Sequence, residues 1–122
     1  MREEAMELCR KNDLEEGQAR GFTVAGFDRK IILVRRDGRI RAYRDACPHY
    51  SAGTPMAWKT DAYLNGARTH LVCHAHGAQF DIDTGKCVSG PCLGQSLTAI
   101  PVTINQSGGI EIAAQTEGEE SV

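Results

Sequence analysis

Two short stretches of this sequence bring thiols and imidazoles together: Cys47-Pro48-His49 and Cys73-His74-Ala75-His76. Each follows a strand-like run, AYRDA before the first and THLV before the second. One thiolate and one imidazole from each loop would supply four ligands to a metal centre. The first pair is C-x-H, and the second is C-x-x-H if His76 is the partner of Cys73. Two cysteines and two histidines are the commonest structural set for zinc, but zinc fingers group the cysteines in one segment and the histidines in the next. Here each segment carries one of each. A mixed pair suits a two-iron cluster, in which one iron takes both thiolates and the other both imidazoles.

The elements that must hold such loops are short and extended. Ala5–Arg10 and Gly21–Ala25 read as strands. Lys30–Arg36 and Arg39–Arg44 flank Asp37-Gly38, a dipeptide that tolerates the positive φ of a type I′ hairpin turn. Asn65-Gly66 gives the same hairpin signature between Ala62–Leu64 and Arg68–Cys73. Gln79–Ile82 leads into an Asp83-Thr84-Gly85 turn. Ser96–Ile104 alternates loosely, and Gly108-Gly109 precedes Ile110–Ala113. Only Asp13–Ala19 looks locally helical, and Gly17 limits it to a turn. Strands of this length and spacing predict an all-β fold, a small antiparallel β-sandwich. Gly53, Gly77, Gly85 and Gly90 read as backbone requirements of tight loops.

Length sets the domain count. A chain of 122 residues can bury one core. We expect one domain over residues 1–114, with the ligand loops within about residues 45–93, and a disordered acidic tail at 115–122 (QTEGEESV). The longest apolar run, Ile31-Ile32-Leu33-Val34, suits a buried strand and is far short of a membrane span. The charged start, MREEAMELCRKNDLEE, lacks the apolar core of a secretory signal. A cytoplasmic protein is the expectation.

Net charge is -2, which predicts no general attraction to nucleic acid. The basic residues are nevertheless concentrated: Arg29, Lys30, Arg35, Arg36, Arg39, Arg41 and Arg44 lie within 16 positions, opposed only by Asp37. A solvated hairpin face is the simple reading, and a docking patch for an acidic partner the sharper one. The five cysteines, Cys9, Cys47, Cys73, Cys87 and Cys92, are odd in number and unlike a secreted disulfide framework. We expect Cys87 and Cys92 to be free thiols and Cys9 a buried apolar residue. His70 reads as a strand surface residue and His74 as an exposed loop residue.

From about Arg39 to Val102 the sequence resembles the Rieske-type [2Fe–2S] ferredoxin family. The resemblance rests on Cys47-Pro48-His49, CHAHG at 73–77, Phe80-Asp81, the Thr84-Gly85 turn and Ser89-Gly90-Pro91. In that family the second motif is C-x-x-H-G, which selects His76 over His74. The resemblance implies one Rieske [2Fe–2S] cluster, held by Cys47 and Cys73 on one iron and by His49 and His76 on the other. It also implies a cluster-binding subdomain carrying both ligand loops, with Ser89-Gly90-Pro91 as a third cover. The gap of 23 residues between His49 and Cys73 is long for the compact members. The extra length around Met56–Leu64, with the only tryptophan, Trp58, is expected to be a surface excursion. Neither ligand loop has the second cysteine that forms an inter-loop disulfide in the quinol-oxidising members.

The resemblance further implies a one-electron carrier with no catalytic residues of its own. It would relay electrons from a flavin-dependent reductase to a terminal oxygenase or another redox enzyme, as a monomer when free. The size also resembles a small Rieske subunit of a larger reductase, such as nitrite reductase. A structural zinc module is the non-redox alternative. From the length, a Rieske oxygenase catalytic subunit is not expected. High-potential members carry a serine after His-Gly and a tyrosine two residues on, whose hydroxyls donate to the cluster. Here these positions are Ala78 and Phe80, with Asp81 and Asp83 adding negative charge. The expectation is a low potential, toward the ~-150 mV end of the Rieske range.

Overall fold

The computed structural model describes residues 5–24, 26–27, 29–46, 56, 61–73, 77–91 and 93–113. Among the described residues there are ten strands: β1 (Ala5–Arg10), β2 (Ala19–Phe22), β3 (Ile31–Arg36), β4 (Arg39–Arg44), β5 (His70–Val72), β6 (Gln79–Asp81), β7 (Cys87–Ser89), β8 (Ala99–Ile100), β9 (Val102–Ile104) and β10 (Gly109–Ala113). They form three antiparallel sheets, ordered β1-β10-β9, β2-β3-β4-β8 and β5-β6-β7. Among the described residues the only helical element is a 3-10 turn at Lys11–Asp13.

The run Ile31-Ile32-Leu33-Val34 explains how the sheets meet. All four residues are fully buried. Successive side chains of a strand point to opposite faces, so a strand that is apolar at every position needs a partner on both sides. Ile31 and Leu33 join Ala42, Leu14, Val24, Ile110 and Ile112 in one core, which packs β3 and β4 against β10. Ile32 and Val34 join Tyr43, Met56, Tyr63, Leu71, Cys73, Ala78 and Phe80 in the other, which packs the same strands against β5 and β6. The β3-β4 hairpin is thus the shared middle of the molecule.

The hairpin turn has positive φ at both central residues, 55° at Asp37 and 75° at Gly38, as the type I′ reading requires. The Glu16 carboxylate accepts the N–H groups of both residues, at 3.0 Å from Gly38. These bonds hold the Glu16 pKa below the usual carboxylate value. The basic face is less solvated than expected. Arg35 Nη1 donates to the carbonyls of Lys11 (3.1 Å) and Leu14 (2.9 Å), and Arg36 Nη1 donates to Thr69 (2.8 Å). These arginines tie the hairpin to neighbouring loops.

Four local expectations need correction. Asp13–Ala19 is not helical beyond Asp13 and keeps only the turn that Gly17 implied, with Gln18 N–H donating to Glu15 O (3.0 Å), because Gly17 N–H donates to Arg35 O (2.8 Å) and Arg35 N–H to Gln18 O (3.0 Å), drawing the segment into pairing with β3. Gly17 sits at φ 78°. The second strand accordingly begins at Ala19 and ends at Phe22 rather than running through 25. Asn65-Gly66 does not make a two-residue turn. Asn65 N–H bonds His70 O (3.0 Å), and the Asn65 side-chain oxygen accepts from Thr69 N–H (2.8 Å), which closes a longer loop with Arg68 at φ 59°. Pro101 divides the run at 96–104 into β8 and β9, since it has no N–H for a ladder.

Candidate metal centre

Of the four expected ligands, Cys73 lies among the described residues; Cys47, His49 and His76 lie outside them, as do His74, Trp58, Cys92 and the acidic tail. Cys73 follows β5 and is fully buried. Its N–H donates to Ala78 O at 2.9 Å, and Gly77 N–H donates to Cys73 O at 2.7 Å. These two bonds tie Cys73, at the end of β5, to Gly77 and Ala78, before β6. Gly77 has φ 73°, and a β-carbon there would meet nothing within 4 Å. Backbone conformation, rather than space, calls for glycine at this position.

The Ser89-Gly90-Pro91 segment lies directly on this loop. Gly90 has φ 105°, and a β-carbon on it would approach the Ala78 α-carbon to 2.7 Å. The expected cover is therefore in contact with the second ligand loop. Just beyond it, Val88 and Leu93 are 46% and 66% exposed, and Pro91 is exposed as well. Cys87 is a buried thiol that donates to Ser89 O at 3.3 Å. Cys9 is half-buried beside the β10 core, where burial pushes its thiol pKa up.

Directly before the segment expected to carry Cys47 and His49 stands a buried residue that the motif does not contain. Asp45 is 5% exposed, the one buried charged residue among those described. Its carboxylate accepts the Met56 N–H at 2.7 Å and the Tyr63 hydroxyl at 2.9 Å. Asp45 N–H itself donates to Lys30 O at 2.9 Å. The Asp45 carboxylate thus joins Asp45, Met56 and Tyr63, which lie on either side of residues 47–55 in the sequence. Met56 and Tyr63 are 0% and 2% exposed, so the ends of the Met56–Leu64 stretch belong to the core and are not a surface excursion. The physical reason is Asp45, whose buried charge needs donors. The sequence offered only the proximity of an aspartate to the C-x-H pair.

Asp81 and Asp83 stand away from Cys73. Cys73 pairs with Ala78, and Asp81 lies three residues further along β6, a strand path of roughly 10 Å. The Asp81 carboxylate accepts the N–H groups of Asp83 (2.8 Å) and Thr84 (3.0 Å), which makes the turn expected there. Ala78 and Phe80 are both fully buried and share a core with Cys73.

A three-sheet β fold with one buried cysteine in a closed hairpin loop and a glycine-proline cover defines the class. A family model described as Rieske [2Fe-2S] domain matches residues 4–106. The chain belongs to that family. The ferredoxin component of the naphthalene 1,2-dioxygenase system of Pseudomonas putida is 32% identical over 99 residues, covering 81% of this chain and 86% of that one. The ferredoxin component of the alkene monooxygenase system of Xanthobacter autotrophicus is 30% identical over 86 residues; the match takes in 70% of this chain and 64% of that protein. Among solved structures, the Sphingomonas yanoikuyae B1 ferredoxin matches with a TM-score of 0.71 at 25% identity, over 90% of this chain and 98% of that one. No helix among the described residues is long and apolar enough to cross a membrane.

Proposed function

We propose that this protein is a one-electron carrier of the Rieske ferredoxin type, cytoplasmic and monomeric, taking electrons from a flavin-dependent reductase and delivering them to an oxygenase. The observation that carries the reading is Cys73. It is fully buried, fixed on both sides by backbone bonds, and part of a C-H-A-H-G segment in a chain of the Rieske family. The ferredoxin components named above, each part of an oxygenase system, support the choice of acceptor.

The donor set fits a [2Fe–2S] group. The Cys73 sulfur is buried in the core, where a thiolate would need a metal to offset its charge. Cys47 and Cys73 would hold one iron, and His49 and His76 the other. When bound, the cluster supplies a reversible one-electron couple. The protein's part is to keep water from the thiolate side and to shape the outer surface. Exposed Val88, Pro91 and Leu93 flank Gly90, which lies against Ala78, and offer apolar surface suited to transient docking of a redox partner.

Ala78 and Phe80 offer no hydroxyl to the cluster sulfurs. That supports a potential toward the ~-150 mV end of the Rieske range, since donors to the sulfurs favour the more negative, reduced form. An electron carrier fed by a flavin reductase needs such a value. The test is an EPR spectrum of anaerobically purified, dithionite-reduced protein. A rhombic signal of low average g, that of a mixed histidine–cysteine [2Fe–2S] centre, is expected. A colourless, EPR-silent protein containing one zinc would overturn the electron-transfer reading.

A further inference from the structure

We propose that Asp45 and Tyr63 form a latch that positions the first ligand segment, and that this latch governs how long the cluster is retained. The inference rests on the reading of Cys47 and His49 as ligands. The Asp45 carboxylate joins three separate parts of the chain: its own position after β4, Met56 on the far side of the ligand segment, and Tyr63 before β5. Each carboxylate oxygen takes one of the two donors, so neither bond can be replaced by the other. Burial raises the Tyr63 pKa, with the Asp45 charge as a second cause, so the phenol stays a donor.

A third element, β2 of the sheet that also holds β4, supports the latch. The Tyr63 hydroxyl lies over Gly21 of β2, where any β-carbon would collide with it. Gly21 N–H in turn donates to Asp61 Oδ1 at 2.7 Å, and Asp61 holds φ 63°. A left-handed backbone at a non-glycine residue is costly and persists only where its surroundings enforce it. The stretch 61–63 is thereby fixed against β2, and the phenol is aimed at Asp45. Residues 45, 56, 61 and 63 act together, although none belongs to the ligand motif.

The latch can be disturbed from two sides without touching a ligand. Tyr63→Phe removes the hydroxyl alone. Gly21→Ala places a methyl group where the hydroxyl lies and pushes it off the carboxylate. Ile112→Val, in the other core, is the control for general loss of stability. Two quantities are read on the protein as purified: cluster loss to a chelator, followed by visible absorbance, and hydrogen exchange at the Met56 amide, which needs no cluster. Both latch variants are expected to lose the cluster about tenfold faster, the scale of one hydrogen bond to a charged group. They should also exchange Met56 faster and broaden the EPR g-values, while Ile112→Val leaves all three as in the parent. Unchanged Met56 exchange in Tyr63→Phe, or equal cluster loss in Ile112→Val, overturns the latch. Faster Met56 exchange in a protein whose parent shows no Rieske signal upholds the latch and overturns the electron-transfer reading instead.

Discussion

Gly90 lies against Ala78 so closely that a β-carbon on Gly90 would sit 2.7 Å from the Ala78 α-carbon. This contact presses the cover segment onto the loop that carries Cys73. It is backbone against backbone, so no side-chain rotation can relieve a larger residue. Gly90→Ala would also force φ 105°, a region closed to L-residues with a side chain. We expect a loss of about 1–3 kcal/mol in urea unfolding and faster cluster loss. Gly77→Ala should cost less, because only its φ of 73° is at issue and its side is open. Equal losses at the two positions would show that the Gly90–Ala78 contact does not matter.

Ala78 occupies the position where high-potential relatives carry a hydroxyl. Ala78→Ser should raise the midpoint potential measured by protein-film voltammetry. A hydrogen bond of about 1 kcal/mol that favours the reduced form corresponds to a few tens of mV, given ~59 mV per tenfold for a one-electron couple. Phe80→Tyr should act in the same direction. Asp81→Asn should change the potential little, because its carboxylate is engaged in the far turn. A larger shift from Asp81→Asn than from Ala78→Ser would reverse this ranking.

The two histidines after Cys73 should behave differently. His76→Ala is expected to abolish normal cluster assembly, with loss of the visible absorbance and the rhombic EPR signal. His74→Ala is expected to leave both in place. The ranking follows the C-x-x-H-G pattern that the resemblance implies, in which the ligand directly precedes Gly77. Equal loss in the two variants would overturn the assignment.

What could be read from the sequence followed the strength of local chemistry. Asp37-Gly38 announced its turn because both residues accept positive φ, and the structure has both there. The apolar run at 31–34 announced a buried strand, and the structure buries all four residues. Cys73, Gly77 and Gly90 were visible as motif positions, and the structure joins them in one loop and its cover. The failures came where a distant partner decided the outcome. Asp13–Ala19 is not helical beyond Asp13 because β3 captures Gly17 and Gln18, and Asn65 spans a longer loop because its side chain reaches Thr69. Asp45 and Tyr63 were illegible for the same reason. A carboxylate at 45 and a phenol at 63 have no mutual spacing rule, and only the fold brings them to 2.9 Å.

Tyr43 links the middle sheet to the turn beyond β6, and it should make the protein sensitive to alkali. Its hydroxyl donates to Ile82 O at 2.7 Å, and its ring fills the space beside Gly85, where a β-carbon would lie 2.7 Å from Cε1. Burial pushes its pKa from 10.0 up to about 12; the negative charges of Asp81 and Asp83 add to this, and Arg41 opposes it. The folded protein therefore keeps a proton that the unfolded chain gives up above about pH 10. The stabilisation is complete below that pH and is lost as pH rises from 10 toward 12. Tyr63, also raised, contributes a slope of the same sign. Tyr43→Phe should lower stability by about 1 kcal/mol at pH 8, through the lost bond to Ile82. It should also flatten the fall between pH 10 and 12. Urea unfolding at pH 8, 10 and 11.5 checks both effects, and a variant that falls as steeply as the parent would show that Tyr43 is not the group that titrates.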